Sequence, residues 1–110
     1  MSRESFQPVR EDGDLESALA EPVAVLYKHS PLCGLSAIAA GQVRTFLEAG
    51  AGAPVYVLDV IRERKLAREV ERRLGIRHES PQAIVLRDGK AVWHASHRGV
   101  TAEALREAVA

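Results

Sequence analysis

The chain has 110 residues, and fifteen Lys and Arg balance fifteen Asp and Glu for a formal net charge of +0. That length makes one domain with a core of its own, and the charge balance leaves no net field to draw nucleic acid or an anionic membrane. The single cysteine excludes an internal disulfide framework and any zinc site built from several thiolates, and it suits a reducing compartment.

Residues 1–13 are polar, contain Pro8 and Gly13, and read as a flexible lead-in to a domain over 14–110. They hold no apolar h-region, and no stretch of the chain approaches the ~20 apolar residues of a membrane span, so a cytoplasmic protein is expected. Asp14 is placed to cap a short helix through Leu15, Leu19 and Ala20, ended by Pro22. Val23 to Tyr27 is a continuous apolar run of strand length, as in a strand covered on both faces.

The chain then passes through Lys28-His29-Ser30-Pro31-Leu32-Cys33-Gly34-Leu35-Ser36 into an alanine-rich stretch. A helix from about Cys33 to Ala49 would turn Ile38, Val43, Phe46 and Leu47 towards a core, with Gly50-Ala51-Gly52 ending it. Pro54 to Val60 is a second β-like run. A helix from about Arg62 to Leu74 follows, its Leu66, Val70 and Leu74 on one stripe and its arginines and glutamates on a solvated ion-pair face. Gly75 stands where a left-handed residue is wanted. Asp88-Gly89 between Ala83–Arg87 and Lys90–Ala95 signals a hairpin. Thr101 caps a last helix with Ala104, Leu105, Ala108 and Val109 on its apolar side.

The order is α-β-α-β-α-β-β-α. Its first two strands are joined through a helix and so are parallel with a right-handed crossover, and the hairpin adds antiparallel strands. An α/β thioredoxin-like fold is expected, with a central mixed four-stranded sheet flanked by helices.

Strand, sharp loop and helix together set Cys33 at a helix N-terminus, where unpaired N–H groups and the macrodipole favour the reactive thiolate. Lys28 and His29 would add positive charge nearby. Ser36, one turn on, is placed to hydrogen-bond the sulfur but cannot resolve a disulfide, so the second thiol must come from outside. Read blandly, Cys33 is a small buried hydrophobe and Ser36 an ordinary first-turn serine. Ser80-Pro81 opens the third strand, where a proline breaks no ladder; the order of elements resembles thioredoxin-like folds, in which a proline at this place is cis and faces the active cysteine and the backbone of the residue before it, here Ser80, pairs with an extended substrate, so a cis bond is expected. His78 is near enough in sequence to line the same cleft. His94 and His97, three apart with no carboxylate cluster, point to no metal site. Trp93 reads as core or cleft wall.

Several of these segments resemble one family, the monothiol bacilliredoxins. They are Tyr27-Lys28-His29-Ser30 leading to one cysteine and Ser36, then Tyr56 to Ile61, Gly75 to Ala83 with its His-Glu-Ser-Pro-Gln, and Asp88-Gly89-Lys90 followed by Trp93-His94-Ala95-Ser96-His97. The resemblance spans about residues 14–109. Family members have Thr-Cys-Pro-Ile-Ser where this chain has Leu32-Cys33-Gly34-Leu35-Ser36, a change that loosens the helix start.

The resemblance implies a thiol–disulfide oxidoreductase of oxidative stress that removes bacillithiol from S-bacillithiolated client proteins. Cys33 would take the bacillithiol as a mixed disulfide and pass it to a second bacillithiol or a partner disulfide reductase. Bacillithiol is then a co-substrate, and no bound cofactor or metal is required. Its malate carboxylates call for a cationic or hydrogen-bonding wall, for which Lys28, His29 and the Ser80 backbone are the candidates. Three other readings remain open: a reductase for another small thiol such as coenzyme A or glutathione, a non-catalytic binding module, and a sensor in which Cys33 accumulates an adduct.

Overall fold

The strand Val23–His29 (β2) is apolar throughout its first five residues because both of its faces are covered. In the computed structural model, which describes residues 6–50 and 52–110, it lies at the middle of the sheet. Its neighbours are Val55–Asp59 (β3), parallel to it, and Gln82–Arg87 (β4), antiparallel. Outside these lie Phe6–Pro8 (β1) beside β3 and Lys90–Ser96 (β5) beside β4. The order is β1-β3-β2-β4-β5, one strand more than the four expected.

The extra strand comes from the expected lead-in. Of that segment, residues 1–5 lie outside the described residues. Residues 6–9, in contrast, are built into the sheet: Phe6 pairs with Val55, Val9 N–H donates to Val57 O at 2.8 Å, and Val9 is 1% exposed. The Arg44 guanidinium sits 4.9 Å from the centre of the Phe6 ring. Three residues are too few to show a period of two, and Pro8, with no N–H to give a ladder, suits only such an edge.

The helices are Asp12–Ala20 (α1), Gly34–Glu48 (α2), Arg64–Leu74 (α3) and Ala102–Val109 (α4). Asp14 caps α1 from inside rather than from before it, Oδ2 accepting the N–H groups of Arg10 and Glu11. Ala51 of the expected α2 stop lies outside the described residues; Gly50 takes the left-handed turn at φ 70. Gly75 ends α3 at the same φ, its N–H on Glu71 O. Asp88 and Gly89 both have positive φ, as a two-residue type I′ hairpin turn requires.

Alternation along the central strands separates two cores. Ala24, Leu26, Leu58, Ile84 and Leu86 meet Leu15, Leu66 and Val70 from α1 and α3. Val25, Tyr27, Val55, Ala83 and Val85 meet Val43, Phe46, Leu47 and Leu105 from α2 and α4. Ile38 belongs to neither and is 60% exposed, against expectation; it starts a turn whose core contact is supplied by Ala39. None of the described helices is long and apolar enough to cross a membrane.

Burial decides what a truncation does here. Leu26→Ala, at a position with no exposure, is expected to lose about 2–5 kcal/mol in urea unfolding. Leu32→Ala, at a position 84% exposed, is expected to shift the midpoint by no more than about 0.5 kcal/mol.

Candidate active site

The turn from β2 into α2 is held by hydrogen bonds between its own residues. Cys33 N–H donates to Ser30 O at 3.2 Å and Ser36 N–H to Cys33 O at 3.0 Å. The Ser36 hydroxyl, fully buried, accepts Ser30 N–H at 3.2 Å. Beneath it, Tyr27 Oη donates to Ser36 O at 3.1 Å and lies 3.1 Å from His29 Nδ1. The phenol has one proton and the carbonyl can only accept. Both contacts therefore hold together when His29 carries its proton on Nδ1 and gives it to Tyr27 Oη. Burial pushes the Tyr27 phenol up to about 12, so it stays a donor throughout the neutral range.

This bracing fixes Cys33 as the N-cap of α2. Its backbone is extended there (φ −110, ψ 127), its side chain caps nothing, and the residue is partly exposed. Negative charge at this point faces the unpaired N–H groups of the first helical turn. Among the described residues Ser36 makes no hydrogen bond to the sulfur its spacing pointed to; the partner of its hydroxyl oxygen is the Ser30 N–H. Gly34 still opens α2 despite the loss of the family proline, and a Cβ added there would meet nothing within 4 Å.

Register brings the second half of the site alongside. β2 and β4 pair Lys28 with Gln82, so one and two residues further on His29 is level with Pro81 and Ser30 with Ser80. The Ser80–Pro81 bond is cis. By the same alternation Pro81 lies on the α2 side of the sheet with His29, and Ser80 on the α3 side. The segment before β4 is tied at four points. Gln82 Nε2 donates to Arg77 O, His78 N–H to Glu71 Oε2, Ser96 Oγ to Glu79, and His97 N–H to Pro81 O. Among the described residues nothing hydrogen-bonds the Ser80 backbone, which leaves it open to pair with an added extended segment.

Lys28 is not beside Cys33. Its side chain leaves the opposite face of the sheet, fully buried, with Nζ donating to Gln82 Oε1 at 2.9 Å. Burial pushes its ammonium down to about 8 against the pull of Glu71 and Glu79. His78 is held below its usual value, first by burial and then by the Lys28 charge. Cys33, Ser36 and His29 thus share the loop and the α2 side, with Pro81 on that side by register, whereas Ser80, Lys28 and His78 lie towards α3, Ser80 and His78 lining one groove there. Tyr27 and Gln82 were missed in the sequence. One looked like part of an apolar run, and the other like the polar start of a strand. Among the described residues no three His, Cys, Asp or Glu side chains gather as a metal group.

Comparison with known proteins bears on the family and the fold. The family model described as monothiol bacilliredoxin BrxC matches residues 7–105. A solved structure described as having a thioredoxin fold is 28% identical, covering 94% of this chain and 92% of its own, with a TM-score of 0.88. A mutant thioredoxin from Halobacterium salinarum NRC-1 is 22% identical over 99% and 91% of the two chains (TM-score 0.80). Thioredoxin from Trypanosoma brucei brucei is 14% identical over 97% and 89% (TM-score 0.80). These last two speak to the fold alone, and the fold is that of thioredoxin.

Lys28 makes stability depend on alkaline pH. Unfolded, it titrates near 10.5; folded, near 8. Between those values the unfolded chain holds a proton that the folded chain lacks, so stability rises with pH across the window. The rise is up to about 3 kcal/mol. Urea unfolding at pH 7.5 and 10.5 is expected to show a smaller rise in Lys28→Met by that amount, a difference that other alkaline groups cancel out of.

Proposed function

The chain belongs to the monothiol bacilliredoxin family and is a thioredoxin-fold thiol–disulfide oxidoreductase; on that premise we propose that it removes bacillithiol from proteins carrying it as a mixed disulfide, with Cys33 as the nucleophile. The observation that most supports this reading is the place of the only sulfur able to attack. It stands at the N-cap of α2 with no side-chain hydrogen bond among the described residues, and the register of β2 with β4 sets the cis Ser80–Pro81 bond level with the end of β2.

The exchange runs in two displacements. The Cys33 thiolate attacks the bacillithiol sulfur of the client disulfide. A bond forms between Sγ and that sulfur, the client S–S bond breaks, and its electron pair leaves on the client sulfur, which takes a proton from water. The client is thereby reduced and Cys33 oxidised. A second bacillithiol thiolate then attacks the bacillithiol sulfur held on Cys33. Bacillithiol disulfide leaves, and the Cys33 thiolate returns. A partner disulfide reductase can supply that second thiolate instead. With no other cysteine in the chain, the second step is always intermolecular.

Three neighbours have distinct parts in this scheme. The Ser80 backbone pairs with the extended part of the substrate. Ser36 and His29 act through the loop: Ser36 on the Ser30 N–H, His29 on the Tyr27 hydroxyl. Both are positioning residues. Leu32 in the loop and Ile61 after β3, both exposed, offer the client protein apolar surface.

Mixing the reduced protein with a bacillithiolated client and reading intact masses tests the proposal. Cys33 is expected to gain one bacillithiol as the client loses it, and added bacillithiol to discharge the adduct. Cys33→Ser is expected to abolish the transfer. Ser36→Ala is expected to retain it at a lower rate, with about 1–3 kcal/mol of stability lost as the buried Ser30 N–H goes unpaired. Failure of the wild type where a control bacilliredoxin succeeds would contradict the proposal in favour of a binding module. An adduct that bacillithiol does not discharge would contradict it in favour of a sensor.

A further inference from the structure

We propose that a groove between α3 and Ser80 receives the dicarboxylate end of the small thiol, with Arg64 and Arg68 as its paired cations. This rests on the bacillithiol reading above and assigns the malate part of that molecule a seat.

The groove is a cavity of about 400 Å³ whose lining includes Ile61, Arg64, Arg68, Glu71, His78 and Ser80. Its position follows from the sheet. Pro81 lies on the α2 side of the sheet with His29, and Ser80, one residue earlier, faces α3. A ligand whose thiol end lies at Cys33 and whose backbone-like part runs along Ser80 therefore crosses the end of the sheet. What extends beyond its cysteine arrives over α3.

Two cations line the groove. Arg64 and Arg68 stand four apart on α3, about 6 Å between their Cβ atoms in an α-helix. Among the described residues neither makes an ion pair or a side-chain hydrogen bond, whereas Arg72 and Arg73 of the same helix pair with Glu69 and Glu16. The groove's one carboxylate, Glu71, is engaged by the His78 N–H at 2.8 Å. Guanidinium forks bind carboxylates in pairs of parallel hydrogen bonds, and two forks one helical turn apart match two carboxylates on one short carbon chain. The candidate cations named from the sequence serve less well. Lys28 is sealed in the core on Gln82, and His29 lies on the other face.

The wider cleft between α1 and α3, about 780 Å³, is lined by charges of both signs, Arg10 and Arg62 against Glu11 and Asp12. No residue of the Cys33 loop or of Ser80–Pro81 lines it. It offers no comparable seat for an anion tethered to the reacting sulfur.

The test compares two small mixed disulfides of one peptide thiol. One carries bacillithiol and the other cysteinyl-glucosamine, which is bacillithiol without its malate. Wild type is expected to reduce the bacillithiol disulfide with about tenfold or greater kcat/KM than its malate-free counterpart, and added salt to narrow the gap. The double variant Arg64→Gln/Arg68→Gln, at two exposed positions and checked for an unchanged melting temperature, is expected to treat the two alike. A double variant that keeps the wild-type preference overturns the groove assignment. So does a wild type that reduces both disulfides equally well, which leaves the bacillithiol reading standing. A wild type that reduces neither overturns both.

Discussion

One buried hydroxyl determines where the sulfur is. Ser36 Oγ holds the Ser30 N–H, and the Ser36 carbonyl is held in turn by the Tyr27 phenol. Two points of contact between the end of β2 and the first turn of α2 leave the intervening loop one way to run, and Cys33 becomes the cap. A cysteine on a free loop would sample many positions relative to the helix end. Here it samples few, and the dipole and free N–H groups of α2 act on it continuously. The depth of the hydroxyl matters, because a buried N–H without an acceptor costs more than the bond itself gains. The loop is therefore disfavoured in any other arrangement.

The sheet then divides labour between its faces. Pleating sends Tyr27, His29 and Pro81 to the side of α2, and Lys28, Gln82 and Ser80 to the side of α3. The first side holds the reacting sulfur. The second holds the structure that keeps the cis-proline segment in place: Lys28 bonds Gln82, which bonds the Arg77 carbonyl, while Glu71 fixes His78. A buried lysine is a costly way to anchor a strand end. Its ammonium satisfies the Gln82 carbonyl and lies within reach of the field of two glutamates. The chain accepts that cost at the junction where three strand ends converge on the site.

Much of this was legible in the sequence, and the exceptions have physical causes. The strand–loop–helix order around Cys33, the αL stop at Gly75 and the Asp88-Gly89 hairpin were plain because each depends on local backbone preference or a strong period. β1 was not, since three residues show no period and Pro8 argues against a strand everywhere but at an edge. Ile38 looked like core by spacing, but the α2 stripe is narrower at its first turn and passes through Ala39. Lys28 was placed near the sulfur by counting along the chain; counting by twos along β2 puts it on the other face. Ser36 is one turn from Cys33 in sequence, but spacing says nothing of the Ser30 N–H that its oxygen accepts. Ser80–Pro81 was readable only through topology, because its partners are fifty residues away along the chain.

The account holds that the fold, rather than the mere presence of a thiol, makes Cys33 an exchange catalyst. Measuring the second-order rate constant of Cys33 with a bacillithiolated peptide, in the folded chain and in the same chain unfolded in urea, tests this most directly. With the unfolded rate corrected for the effect of urea on a free thiol, the folded chain is expected to react more than about tenfold faster at neutral pH. Equal rates, or a slower folded chain, would contradict it.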